Sequence, residues 1–165
     1  LHNSAGAGVR KAPEWQISEW INSPGVTLSD LKGKVVIVDF FQLWCPGCNK
    51  FTIPLMKRWD NTFKNQIDSG KLMILSIHTV FEGHDYQTTE RLKSFVKEKG
   101  IHHPVGIDAQ KKGEYLPETM KKYETRGTPE VAIIDKKGYI RFQIFGGFDP
   151  AAAENLIRRL INEPT

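Results

Sequence analysis

The chain has 165 residues, of which 39% are hydrophobic and 25% are charged, and its formal net charge at pH 7 is +4. This length and composition predict one domain with a single core, and the scattered basic residues lack the one-sided stripe that nucleic-acid binding requires. No apolar run reaches the roughly eighteen residues needed to cross a bilayer. Residues 1–12, LHNSAGAGVRKA, are small and polar, so we expect a disordered lead-in or tag remnant there and a folded domain over residues 13–165.

The first strong structural signal is a continuous run of β-branched and aromatic residues over 34–41, KVVIVDFF. Such a run is typical of a central strand that is covered on both faces. An apolar stripe follows at spacings of three or four, which predicts a helix from Pro46 to about Gln66. The members of this stripe are Cys48, Phe51, Leu55, Trp59 and Phe63. Pro54 interrupts the helix and should bend its axis.

The rest of the chain alternates between strand and helix signals. The predicted elements are a buried strand over 72–80, a helix over 88–99, a short strand over 104–108 and a brief helix over 117–123. The segments RGTPEVAIID and YIRFQIF then predict an antiparallel hairpin at the edge of the sheet. Asp149 and Pro150 start a last helix. This order of elements predicts an α/β fold with a mixed sheet.

The segment QLWCPGCNK contains the only two cysteines in the chain, Cys45 and Cys48. A staple across so short a loop would remove little chain entropy, and no second CxxC or closely spaced histidine pair follows at the spacing of a zinc finger to complete a thiolate metal site. Redox chemistry is therefore favoured. Cys45 lies at a helix N-terminus, where the helix dipole stabilises a thiolate, and Cys48 lies on the apolar side. We expect Cys45 to attack a partner disulfide and Cys48 to resolve the mixed disulfide.

Asp39 lies in the middle of the first apolar strand, where burial raises the pKa of a carboxyl group toward neutrality. A carboxylate of this kind near a buried thiol can accept its proton. The alternative is that Asp39 faces a polar edge or caps a neighbouring loop, and the spacing alone leaves both interpretations open.

The run VDFFQLWCPGC resembles the active-site strand and turn of the thioredoxin superfamily, with an aspartate six positions before the first cysteine and a tryptophan just before it. Gly127-Thr128-Pro129 resembles the segment of that superfamily in which a cis proline faces the two cysteines. The likeness covers about Pro13 to Ile161 and is strongest to TlpA-like thiol-disulfide oxidoreductases with an AhpC/TSA-Redoxin-like domain. It implies a thioredoxin-like fold, in which helices flank a central mixed β-sheet on both faces and a strand and helix are inserted centrally.

By this resemblance, Cys45 is the nucleophile, Cys48 is the resolving thiol, Asp39 is the buried proton acceptor and Pro129 is the cis proline. The backbone of Thr128 would then be free to pair with an extended substrate strand beside Cys45.

Three further residues complete the expected substrate surface. Trp44 is expected to form an apolar rim that shields the disulfide, although a tryptophan beside a strand end is often a lid on the core. Pro46 and Gly47 separate the cysteines without a histidine that would stabilise the reduced thiolate further, so we expect a reductase of intermediate potential.

The resemblance also implies partners and a location. We expect protein thiol or disulfide substrates, a membrane or soluble thiol electron donor, no nucleic acid, and a monomer. The redox-active disulfide is the only cofactor expected, with no metal. These domains are typically extracytoplasmic, so we expect a soluble domain in the bacterial periplasm or at the outer face of the membrane, and the start at Leu1 is consistent with a removed signal peptide or anchor.

Two positions depart from the family pattern. Many TlpA-like proteins have an acidic residue three positions after the second cysteine, where this chain has Phe51. The usual helix proline follows that cysteine by five positions, whereas Pro54 follows it by six. The first departure weakens any proton relay along the helix, and the second implies a shifted kink or a local bulge.

Two other functions are alternatives. Peroxiredoxins have Thr or Ser three positions before the reactive cysteine, where this chain has Gln42, so a thiol peroxidase is the second enzyme hypothesis. The non-enzymatic hypothesis is a copper carrier that uses both thiols and a histidine. His78 and His84 lie in HTVFEGHD, which is more simply a polar loop at a strand end. We expect His102 and His103 to lie in a solvated loop.

Overall fold

The apolar run after Gly33 forms the central strand of a seven-stranded sheet in the computed structural model, which describes residues 9–165. All seven residues of this strand are buried, which explains why its sequence lacks alternation. The strands are β1 (Arg10–Lys11), β2 (Ile17–Ile21), β3 (Val35–Phe41), β4 (Leu72–His78), β5 (Val105–Asp108), β6 (Glu130–Ile134) and β7 (Tyr139–Phe145).

Five α-helices connect or follow these strands in the described part of the chain. They are α1 (Ile53–Thr62), α2 (Lys64–Asp68), α3 (Thr89–Lys99), α4 (Glu118–Tyr123) and α5 (Pro150–Ile161). A 3-10 turn spans Ser29–Leu31, and a π-helical segment spans Cys48–Thr52. The ends of α3 and α5 follow local capping rules, since Thr88 and Asp149 accept hydrogen bonds from the first-turn N–H groups of Arg91 and Ala151.

The strand order is β1-β7-β6-β3-β4-β5-β2, and the sheet is mixed. Strands β3, β4 and β5 are parallel, whereas β6, β7, β1 and β2 each join the sheet by antiparallel pairing. The parallel centre places the carboxyl ends of β3 and β4 at one edge of the sheet, where Phe41 lies opposite His78. The predicted thioredoxin-like fold is confirmed.

Alternate residues of β3 face two separate cores. Val35 and Ile37 pack in a cluster with residues of α1 and α5, including Trp59. Val36 and Val38 face the opposite side, in a cluster with Tyr123 of α4 and the N-terminal segment. A third cluster joins both cysteines to Phe41, α3 and β5. The cysteines are therefore anchored in core packing and not in a detached loop.

The predicted helix over 46–66 is divided into three pieces, and its irregular first part explains the position of Pro54. The N–H of Ile53 donates to the carbonyl of Cys48, five residues earlier, which is the hydrogen bond of a π-helix. One extra residue is accommodated in this turn, immediately before the proline that lacks a donor. The structure thus contains the local bulge that was expected as one of two outcomes, and Phe63 separates α1 from α2.

Both outer strands of the sheet were missed, and one of them moves the predicted domain boundary. Arg10 and Lys11 pair with β7, and the N–H of Ala12 donates to the carbonyl of Gly138 at 2.8 Å. Residues 10–12 therefore belong to the fold, although they were predicted as part of a disordered lead-in; residues 1–8 of that prediction lie outside the described residues. The side chains of β1 are exposed, so no apolar pattern marks this strand. Its pairing also means that β7 is not the outermost strand.

The second missed strand, β2, pairs with β5 at the other edge, and a register irregularity lies between Ile17 and Glu19. Its mixed polarity hides it from a periodicity argument. In the described range, no helix is both long and apolar enough to span a membrane.

Candidate active site

The loop that carries Cys45 is held by short backbone contacts between the end of β3 and the π-helical segment. Helical backbone begins at Pro46, where the missing N–H of proline removes no helical hydrogen bond. The N–H of Asn49 donates to the Cys45 carbonyl at 3.0 Å. The side-chain amide of Asn49 donates to the carbonyls of Leu43 and Cys45, both at 3.0 Å. These contacts fix the loop on the helix that follows it.

The two cysteines are free thiols in unequal environments. Cys45 is 7% exposed and lies in the wall of an open groove, whereas Cys48 is fully enclosed. Hydrogen bonding from the Cys48 thiol is the main cause that lowers the pKa of Cys45 to about 6, and the Thr128 hydroxyl and the N–H groups of Cys48 and Gly47 lower it further. The backbone N–H of Cys48 lies 3.2 Å from the Cys45 sulfur. These contacts favour the thiolate form of Cys45 at neutral pH.

Cys48 has the opposite properties. Its hydrogen bond to Cys45, its burial and the charge of Asp39 all raise the pKa of its thiol above the ordinary value. The pKa of the thiol at the groove is thus lowered, whereas the pKa of the enclosed thiol is raised.

Asp39 is completely buried, so it does not face a polar edge. Neither of its carboxylate oxygens has a hydrogen-bond partner among residues 9–165. Burial raises the pKa of Asp39 to about 7, the nearby Thr52 hydroxyl opposes this rise, and the charge of Cys45 adds to it. A buried carboxylate without partners is destabilising, and its unusual pKa is typical of functional groups.

Gly47 and Pro129 pack directly against each other. The Thr128–Pro129 peptide bond is cis. A Cβ atom at position 47 would lie 3.0 Å from the Cδ atom of Pro129, so a larger residue there would force a displacement. The glycine of the CPGC sequence therefore allows the proline segment to approach the cysteine loop closely.

Aromatic side chains and one cation surround Cys45 in the groove. Its walls include Trp44, Pro46 and Thr128 together with Phe81, Glu82, Arg126 and Phe145. Trp44 and Phe145 are among the exposed large hydrophobic side chains. Trp44 stacks on Tyr86 with ring centroids 5.9 Å apart, and the guanidinium of Arg91 lies 4.3 Å from the Tyr86 ring centroid. A partner that reaches Cys45 would therefore contact a mainly apolar rim.

The predicted site residues lie together, with Gly47, Pro129, Cys48 and Asp39 behind the groove surface. Phe81, Glu82, Arg126 and Phe145 were missed because they come from loops and a strand end that meet only in the folded chain. Gln42, which the sequence marks as a departure from peroxiredoxins, also lines the groove. Its place in the site could have been inferred, since it is a polar residue directly after an apolar strand.

The histidines do not converge on the cysteines. His78 is buried and its Nε2 accepts a hydrogen bond from the N–H of Leu43 at 3.1 Å, while burial lowers its pKa to about 4. His84 pairs with Gln110 at 3.1 Å. Among residues 9–165, no group of three or more metal-ligating side chains is arranged to hold a metal ion.

The expectation of a solvated loop is wrong for His103. Its side chain is buried, with Nε2 2.8 Å from the Ser76 hydroxyl and Nδ1 3.1 Å from Asp60. Hydrogen bonds to these two polar partners compensate for the cost of burying the imidazole. Residue type and spacing in the sequence do not reveal such partners.

Gly83 provides a test of how firmly Trp44 is held. Its φ is +62°, and a Cβ atom there would lie 2.1 Å from the Trp44 ring. We expect Gly83→Ala to displace Trp44 from Tyr86, lowering the free energy of unfolding by about 2–4 kcal/mol and changing the near-ultraviolet circular dichroism of tryptophan.

Gly113→Ala is the matched control for backbone strain. Gly113 has a φ of +81°, and a Cβ atom there would have no neighbour within 4 Å. This variant should cost about 1 kcal/mol and leave the tryptophan signal unchanged. Equal losses and equal spectra for the two variants would show that Trp44 is not packed against this loop.

The model of the AhpC/TSA family matches residues 9–143 of the chain. Among curated proteins, protein DipZ from Mycobacterium tuberculosis is 31% identical over 153 residues, which cover 89% of this chain and 20% of that protein. The chain thus spans about a fifth of the length of the DipZ relatives. The thiol-disulfide oxidoreductase ResA from Bacillus anthracis is 26% identical over 151 residues, covering 92% of this chain and 77% of ResA.

Two solved structures extend the similarity over nearly the whole chain. A thioredoxin-like superfamily protein has 40% identity and a TM-score of 0.88, and the match covers 94% of this chain and 98% of the other. A thiol-disulfide isomerase from Corynebacterium glutamicum has 39% identity and a TM-score of 0.83, covering 93% of this chain and 98% of the isomerase.

Proposed function

This chain belongs to the AhpC/TSA family, and from that premise we propose that it is a thiol-disulfide oxidoreductase that reduces disulfide bonds in other proteins. The observation that carries the proposal is the inequality of the two thiols. A thiolate at an open groove is placed to attack, and a protonated thiol enclosed behind it is placed to act second.

In the first step, the Cys45 thiolate attacks one sulfur of a partner disulfide. A bond forms between Cys45 and that sulfur, the partner's disulfide breaks, and its other sulfur leaves as a thiolate that takes a proton from water. The pKa of about 6 keeps Cys45 ionised at pH 7.

In the second step, the Cys48 thiol transfers its proton to ionised Asp39 and attacks the Cys45 sulfur. The Cys45–Cys48 bond forms, the bond to the partner breaks, and the partner's second sulfur leaves as a thiolate that takes a proton from water. Two electrons have then passed from this chain to the partner. With a pKa of about 7, Asp39 can take a proton and release it again near neutral pH. A membrane or soluble dithiol would then reduce the Cys45–Cys48 disulfide, and no further cofactor takes part.

The groove supports an extended protein substrate. Among residues 9–165, the backbone N–H and carbonyl of Thr128 make no hydrogen bond with other backbone groups, so both can pair with a substrate strand. Trp44 and Phe145 supply apolar contacts on either side, which favours partners with apolar residues beside their disulfide. The resemblance to TlpA-like domains supports an extracytoplasmic location as part of the proposal.

The reductive direction rests on the moderate acidity of Cys45. A very low pKa of the nucleophile stabilises the reduced form and makes a strong oxidant, as in DsbA at about 3.5, whereas thioredoxin has about 7. The pKa of about 6 for Cys45 lies closer to the value of thioredoxin, which acts as a reductase, than to that of DsbA.

Insulin reduction with dithiothreitol as donor, compared with hydrogen peroxide reduction, tests the function. We expect insulin disulfides to be turned over well above the rate of dithiothreitol alone, and peroxide to be consumed no faster than by a free thiol. Fast peroxide turnover without insulin reduction would identify a peroxidase, and a tightly bound equimolar copper ion in the reduced protein would identify a carrier.

A further inference from the structure

Two buried glutamines contact each other at the groove, where Gln42 is one of the lining residues. Gln42 follows β3 and is 1% exposed, and Gln87 precedes α3 and is 5% exposed. The Nε2 of Gln87 donates to the Oε1 of Gln42 at 2.8 Å, and the Nε2 of Gln42 donates to the Thr128 hydroxyl at 3.1 Å. Buried amides are costly unless they are paired, and these contacts pair both polar atoms of the Gln42 amide and the nitrogen of the Gln87 amide, while the Oε1 of Gln87 has no hydrogen-bond partner among residues 9–165.

A backbone carbonyl fixes which atom donates and which accepts in each of these hydrogen bonds. The Nε2 of Gln87 also donates to the carbonyl of Glu82 at 2.9 Å. A carbonyl can only accept, so the amide nitrogen of Gln87 and not its oxygen must face Glu82. The same nitrogen then requires the oxygen of Gln42, and the nitrogen of Gln42 is left to face Thr128.

The orientation of Thr128 follows from this polarity. Its hydroxyl oxygen accepts from Gln42, so its single hydrogen is available for another acceptor. Thr128 and Cys45 both line the groove, and hydrogen bonding from the Thr128 hydroxyl is one cause of the lowered pKa of Cys45. If Gln42 were reversed, its oxygen would take the Thr128 hydrogen and leave none for the sulfur.

We propose that Gln42 and Gln87 are positioning residues that aim the Thr128 hydroxyl at the Cys45 sulfur. This role rests on the proposed function, because Cys45 is the nucleophile of the disulfide exchange proposed above. Glu82 also lines the groove, so three consecutive hydrogen bonds join its carbonyl to the Thr128 hydroxyl, which lines the groove together with Cys45.

The test is the pH dependence of Cys45 alkylation by iodoacetamide, measured in a Cys48→Ser background so that one thiol reacts. We expect Gln42→Met and Thr128→Val each to slow alkylation about tenfold at pH 5, with rates that converge with the parent above pH 9. The double variant should be no slower than Thr128→Val alone, because both changes remove the same hydrogen bond. Thr128→Ser keeps the hydroxyl and should retain the parental profile.

Two further variants separate positioning from general loosening. Gln87 is one hydrogen bond farther from Thr128 than Gln42 is, so Gln87→Met should also slow alkylation at pH 5, but by a smaller factor. This variant serves as the test if Gln42→Met does not fold. Gln110→Met is the matched control, since Gln110 donates to the carbonyls of Glu114 and Tyr115 but has no link to Thr128.

The proposal is overturned if Gln42→Met and Gln87→Met keep the parental alkylation profile, or if Gln42→Met and Thr128→Val slow the reaction additively. Alkylation needs no protein substrate. If the variants shift the alkylation profile as expected but the wild-type chain does not reduce insulin, the proposed function is rejected and the positioning role stands.

Discussion

Cys45→Ser is expected to reduce insulin turnover to the rate of dithiothreitol alone, a loss of at least about 10³-fold. Serine keeps the size of the side chain, but its hydroxyl does not ionise near neutral pH, so no anionic nucleophile lies in the groove. The measurement is insulin precipitation with dithiothreitol as donor. Thermal unfolding should confirm that the variant remains folded.

Cys48→Ser is the matched comparison, because it removes the enclosed sulfur and leaves the thiolate at the groove. We expect a single covalent complex between Cys45 and a partner, visible on a non-reducing gel and cleaved by excess dithiothreitol. Turnover should stop after this first step. If Cys45→Ser trapped partners and Cys48→Ser turned over, the assigned roles of the two cysteines would be reversed.

Asp39→Asn is expected to slow resolution of the mixed disulfide by about a hundredfold at pH 8. Only ionised Asp39 can take the Cys48 proton, so with a pKa of about 7 the wild-type rate should rise with pH and level off above that value. Asparagine cannot accept this proton, and the rise should disappear. The measurement is rapid-quench detection of the mixed disulfide from pH 5 to pH 9, and a retained rise in the variant would assign the proton transfer to another group.

The same substitution should stabilise the reduced protein. Burial raises the pKa of Asp39 from about 4 in an unfolded chain to about 7, so the folded state holds a proton that the unfolded state has lost. Wild-type stability should therefore fall as pH rises from about 4 to about 7. The advantage of Asp39→Asn in free energy of unfolding should grow by roughly 3–4 kcal/mol between pH 4 and pH 8. Urea unfolding of both proteins measures it, and a constant difference would mean that Asp39 is not the titrating group.

The centre of the fold was predictable because its signals are local. Burial on both faces makes β3 uniformly apolar, and the stripe through Trp59 marks the helix that follows. The bulge near Pro54 was foreseeable from a single misplaced proline. The unequal exposure of the two cysteines also follows from their positions at the start and on the inner side of one helix.

The remaining features depend on contacts that no local pattern records. β1 has exposed polar side chains and is a strand only because β7 offers it backbone partners. His103 is buried because Ser76 and Asp60 lie beside it in the fold. Gln42 and Gln87 are separated by 45 residues, so their contact could not be inferred from either segment. Long-range pairing of polar groups is thus the part of this molecule that sequence periodicity does not predict.

Redox titration of the Cys45–Cys48 pair is the most direct test of the central claim that this chain is a reductase. The protein would be equilibrated in glutathione or dithiothreitol buffers, and the fraction of free thiol measured by alkylation and mass spectrometry. The moderate pKa of Cys45 predicts a potential between about −180 and about −270 mV. A value near about −120 mV would make the pair a strong oxidant and contradict the proposed direction of electron flow.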